Sequence, residues 1–127
     1  MKHIVRTEKS VDQASADLEQ AVIANQFGVL HIHDLKATMK AKGIAFPNEC
    51  RIFEVCNPHQ AKAVLGEDMS LNMALPCRIS VWEEAGDTYI GTLEPTGLLA
   101  TLSESPALHK VAAEVEGTIK TIIQQAS

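Results

Sequence analysis

The spacing of apolar and polar residues divides the chain into short segments of alternating type. Residues 2–9 read as a strand, after which Val11, Ala14, Leu18, Ala21 and Val22 recur at helical spacing and form a stripe that faces a sheet. Ser10 and Gln13 match a capping box at the start of that stripe, so a helix is predicted to about Asn25. Gly28 to His33 is the next strand. Asp34 can then cap a short helix, Leu35 to Lys42, that stops at Gly43, and Ile44 to Glu49 is a loop containing Pro47. Cys50 to Cys56 reads as the third strand. Asn57 as N-cap, Pro58 at the first helical position and Gln60 as a second capping box predict a helix toward Leu65 that stops at Gly66.

Glu67 to Leu75 reads two ways. Its Met69, Leu71, Met73 and Leu75 alternate with polar or small residues as in an extended segment, yet Asp68 could cap one helical turn. Cys77 to Glu83 and Thr88 to Leu93 then form an antiparallel hairpin about the four-residue loop Glu84-Ala85-Gly86-Asp87. Ser105 and Pro106 open the last helix, about 106–125, with a long stripe from Leu108 to Ile123. The pattern therefore predicts one α+β domain over residues 1–127, a largely antiparallel sheet with its helices packed on one face.

Strand alternation assigns side chains to the two faces of that sheet. Leu30 and Ile32, with Cys77, Ile79 and Val81, are expected under the helices. Val29, His31 and His33, with Arg78, Ser80 and Trp82, fall on the other face. An exposed face bearing the only tryptophan calls for a cover, either a second copy of the chain in a homodimer or a bound ligand, the alternative being that Trp82 tucks under the hairpin and the face is simply solvated.

Composition narrows the partners. At 127 residues the chain can bury a core without a metal or a crosslink, and a net charge of −5 with interspersed lysines argues against nucleic acid, which needs a basic stripe. No apolar run approaches the roughly 20 residues that span a bilayer, so no membrane partner is expected. Residues 1–9 lack the apolar core and cleavage site of a secretory signal, and three cysteines are an odd number, so reduced thiols and a cytoplasmic location are expected.

Two constellations could carry chemistry. Cys56 and Cys77 end one strand and begin another, so antiparallel neighbours would bring both thiols to one edge. Cys56 also precedes the Asn57 cap, where a helix N-terminus can lower a thiol pKa, which makes it a candidate nucleophile with Cys77 as resolving thiol. Cys50 lies about 20 Å along the strand from Cys56 and cannot join them. His31 and His33 project from one side of a strand about 6.6 Å apart, a spacing from which two rings can reach one metal, although two half-exposed polar residues give the same pattern.

The run from Gly28 to Gly43, the segment Arg51-Ile52-Phe53-Glu54-Val55-Cys56-Asn57-Pro58 with Ala61, and Leu75-Pro76-Cys77-Arg78-Ile79-Ser80-Val81 together resemble the domain of unknown function 302 family. The resemblance covers roughly residues 2–100, with Pro95 after the last strand, and implies a TATA-box-binding-protein-like α+β fold. It also implies dimers, and haem or metal binding for some relatives, without assigning ligands to residues here. The expected function is that of a homodimeric binding or accessory domain. Its metal, haem or small-molecule ligand would sit near Cys56, Asn57 and Cys77, against Trp82, or at His31 and His33. The alternatives are a thiol-dependent redox enzyme using Cys56 and Cys77, and a purely structural dimer.

Overall fold

In the computed structural model, which describes residues 1–127, five strands form one antiparallel sheet in the order β1-β5-β4-β3-β2. They are β1 (Lys2–Thr7), β2 (Gly28–Asp34), β3 (Cys50–Cys56), β4 (Cys77–Glu84) and β5 (Asp87–Leu93). The helices are α1 (Val11–Ala24), α2 (Leu35–Ala41), α3 (Pro58–Glu67), α4 (Pro95–Ala100) and α5 (Pro106–Ala126), and a 3-10 turn spans Met69–Ala74. The α+β class follows, as the periodicities predict.

The caps explain where the helices start. Ser10, Asp34, Asn57 and Ser105 each accept a backbone N–H of the first turn, and Asp68 does so for the 3-10 turn. The reciprocal halves of the two predicted capping boxes do not form. Gln13 turns instead to Asp17, and the Gln60 Oε1 atom has no partner at all.

One face of the sheet is sealed by α1 and α5. Leu18 and Val22 of α1 and Ile119, Ile122 and Ile123 of α5 close over Phe53, Val55, Ile79, Val81 and Ile90, all essentially inaccessible to water. A second cluster joins Val64 of α3, Leu71 of the 3-10 turn and Leu99 of α4 to Leu108 and Ala112, so α5 ties both clusters together.

Two expectations about the sheet change. A β-bulge between Val29 and His31 adds a residue to β2, which returns Val29 to the core side and leaves Leu30 61% exposed, where strict alternation had placed Leu30 under the helices and Val29 with the histidines. The hairpin is also tighter than the four-residue loop: Glu84 pairs with Asp87, and only Ala85 and Gly86 turn. Both have positive φ, 51° and 85°, as a type I′ turn requires. An L side chain in that region costs about 1–2 kcal/mol, so Ala85→Asn is expected to raise stability by about 1 kcal/mol, seen as a higher midpoint in thermal unfolding; an unchanged or lower midpoint contradicts it.

Helix α4, which the residue pattern did not reveal, is held by charge. The N-terminal ammonium lies 2.9 Å from Glu94, which precedes α4, and the Lys120 ammonium donates to the other Glu94 oxygen at 2.7 Å. Lys120 first, then the terminal ammonium, holds the Glu94 carboxyl down at about 2 from an ordinary 4.5. A depressed carboxylate stabilises the fold above its unfolded value and loses that contribution as pH falls. Stability is therefore expected to drop between about pH 5 and pH 2, and Glu94→Gln to flatten that part of the denaturation profile; an identical slope in the variant counts against this role for Glu94.

Candidate functional site

The uncovered face of the sheet carries an ordered array of side chains. In register, Arg78, Ser80 and Trp82 of β4 stand beside Glu54, Ile52 and Cys50 of β3, while Ser80 and Trp82 also neighbour Gly91 and Tyr89 of β5. Ile4 lies across from Gly91, and His31 and His33 across from Glu54 and Ile52. The expected grouping of His31, His33, Arg78, Ser80 and Trp82 on one face is what the register produces. Trp82 stacks on Tyr89 with ring centroids 5.6 Å apart, and its ring passes over Gly91.

Over this face the 3-10 turn and α4 rise as walls and enclose an open groove of about 730 Å³. Twelve of its twenty lining residues are hydrophobic, among them Ile4, Ile52, Met73, Leu98 and Leu102. Polarity is confined to a few groups. Lys2 and Arg78 are the cations, and Ser70, Ser80 and Thr92 supply the remaining polar side chains. The Arg78 guanidinium forms no ion pair or hydrogen bond, because Glu54, its neighbour across β3, is bonded to His33 instead. That bond, with Arg78 nearby, holds the Glu54 carboxyl below the usual carboxylate range. The groove thus presents, at one part of an apolar surface, a guanidinium that forms no ion pair of its own, with the Glu54 carboxylate near enough to feel its charge.

The histidines meet edge to face, centroids 4.4 Å apart. His33 is occupied by Glu54, and no group of three His, Cys, Asp or Glu side chains is arranged to hold a metal ion. Of the two metal candidates, His31 is therefore the one without a hydrogen-bond partner.

Cys56 and Cys77 come to the same end of the sheet. Val55 pairs with Cys77, Cys56 follows by one residue, and both thiols line a small apolar chamber of about 40 Å³ between β3, α3 and α5, with Asn57 also on its wall. Burial pushes both thiols up, Cys77 to about 11 with a further contribution from Cys56. For Cys56 this opposes the lowering expected from its position before α3. The Asn57 side chain is engaged in capping His59 and Gln60. Cys50 sits at the far end of β3, opposite Trp82, and its thiol too is raised by burial.

Residue patterns missed the groove because its walls come from the 3-10 turn and α4. The available signal was the alternation of methionines and leucines from Met69 to Leu75, which buries Leu71 and leaves Met69 66% and Met73 83% exposed, next to an open face that carries a tryptophan and an arginine.

A family model described as a domain of unknown function, DUF302, matches residues 3–126. Among solved structures, an uncharacterized conserved DUF302 protein from Bacillus stearothermophilus superposes with a TM-score of 0.93 at 30% identity, covering 99% of this chain and 98% of that one. A search of curated proteins gives no match. No helix is long and apolar enough to cross a membrane.

Proposed function

The chain belongs to the DUF302 family, and from that premise we propose that it is a small-molecule-binding domain whose open-face groove takes an amphipathic acid. The family's description names no activity, so the reading rests on this chain's own residues. A single observation carries it: a groove of about 730 Å³, mostly apolar, that contains an arginine whose guanidinium forms no ion pair, its neighbour Glu54 being bonded to His33. Ligand sites combine this kind of apolar lining with a few well-placed polar groups, and a guanidinium in a partly dry site favours a carboxylate through charge-assisted, bidentate hydrogen bonds. Arg78 and Lys2 would hold the acid head while Ile4, Ile52 and Leu98 take the apolar body.

Trp82, the only tryptophan, lines the groove and reports on occupancy. Decanoate is expected to change its fluorescence, and both uncharged decanol and the Arg78→Leu variant to bind at least about tenfold more weakly, since a lost charge-assisted hydrogen bond is worth about 1.5–3 kcal/mol. No response to decanoate, or an equal response in Arg78→Leu, rejects the reading.

A second reading, a homodimer that closes the groove, is favoured by its exposed apolar rim of Ile4, Leu93, Met73 and Leu102. Native mass spectrometry of untreated protein separates the two, since it reports subunit number and any retained ligand in one spectrum.

A further inference from the structure

Resting on that reading, we infer that His33 is a positioning residue for the groove: by holding the Glu54 carboxylate, it keeps that group off Arg78 and leaves the guanidinium free for an incoming acid. Neither His33 nor Glu54 lines the groove. They act on the ligand only through Arg78.

Strand register makes Arg78 the natural partner of Glu54. The two stand directly opposite each other on β4 and β3, an arrangement in which Cβ atoms lie about 4.5–5.5 Å apart and opposite charges attract. On its other side Glu54 stands opposite His31 of β2, and His33 is only its diagonal neighbour, about 7–8 Å away in such a ladder. Yet the bond forms along the diagonal. The His33 Nε2–H donates to Glu54 Oε1, and no ion pair joins Glu54 to Arg78.

Two features support that choice. The His31 ring, which occupies the place opposite Glu54, packs edge to face on the His33 ring with centroids 4.4 Å apart and steadies the imidazole. The hydrogen bond from His33 is also the largest cause of the low Glu54 pKa, and the charges of Arg78 and His31 contribute less. Without that donor, the carboxylate has a forked guanidinium directly across the strand from it, a combination that forms strong charge-assisted pairs. Arg78 would then be occupied inside the protein.

The test titrates decanoate and decanol into the full chain, with Trp82 fluorescence as readout. His33→Phe, which keeps a ring against His31 but no N–H, and His33→Leu are each expected to bind decanoate about tenfold more weakly than wild type. Decanol, which brings no charge to Arg78, is expected to bind them as it binds wild type, whereas a deformed groove would lose both ligands. Adding Glu54→Gln to either variant is expected to restore decanoate binding, since no carboxylate is left to occupy Arg78. Unchanged decanoate affinity in a folded His33 variant overturns the inference, and so does a loss that decanol shares or that the double variant keeps. Glu54→Gln alone is expected to stay within about threefold of wild type. A larger gain shows Glu54 already competing for Arg78, and overturns the inference whether or not the His33 variants fold. Decanoate binding that needs Arg78 but ignores His33 removes this inference and leaves the groove reading standing. No response to decanoate in wild-type protein removes both.

Discussion

Phe53→Ala is expected to cost about 3–5 kcal/mol of stability, the largest effect of any single truncation in this molecule. Phe53 is 1% exposed and lies in β3, next to the central strand β4, where its ring meets α1 and α5 over the middle of the sheet. Truncation removes the apolar area and leaves a void that neighbours on both sides, fixed by strand pairing, can close only in part. Domains of this kind are stable by about 5–15 kcal/mol in total, so the variant should lose between a fifth and nearly all of its stability and unfold at a much lower denaturant concentration. Urea denaturation followed by circular dichroism measures the loss. Phe53→Leu, which keeps most of the volume, should cost far less. A penalty below about 1 kcal/mol for the alanine variant means that the packing around β3 is not as described.

The second large effect is at Gly91. A Cβ built there lies 3.1 Å from the His3 carbonyl oxygen, 3.1 Å from the Trp82 ring and 3.2 Å from Ile4. The carbonyl belongs to the neighbouring strand and cannot move without breaking the β1–β5 ladder. Overpacking of this sort costs about 1–3 kcal/mol, and Gly91→Val adds two methyl groups to the collision. The same substitution lifts Trp82 from its position over the strand and disturbs the groove floor. The expected result is therefore double: a lower unfolding midpoint, and a shifted Trp82 emission that no longer responds to decanoate. A valine variant with wild-type emission and binding would show that the ring does not depend on the bare backbone beneath it.

The legibility of this chain follows from the range over which each signal acts. Caps are local, so Ser10, Asp34, Asn57 and Ser105 each marked a helix start correctly. Strand alternation is local as well and put Arg78, Ser80 and Trp82 on one face, but it failed in β2, where neither glycine nor proline marks the bulge at Leu30. Helix α4 escaped notice because it is six residues long, contains Gly97 and has no side-chain cap; its anchors, Lys120 and the N-terminal ammonium, lie far away in sequence. The groove depends on that helix, on the 3-10 turn and on four strands at once, and no window of sequence contains them together. The thiols show the same division. Their arrival at one strand end followed from the antiparallel order, whereas the burial that raises their pKa values comes from α3 and α5 packing over them.

The order of the strands also has a consequence for biosynthesis. β1 is made first, yet its sole neighbour in the sheet is β5, with Lys2 opposite Leu93. During translation this amino-terminal segment must wait as an unpaired ribbon until nearly three quarters of the polypeptide has emerged, because closing so long a loop is what limits the rate at which distant strands find each other. Until β5 arrives, the backbone of β1 is open to stray partners, which makes this seam the place where nascent copies would exchange strands.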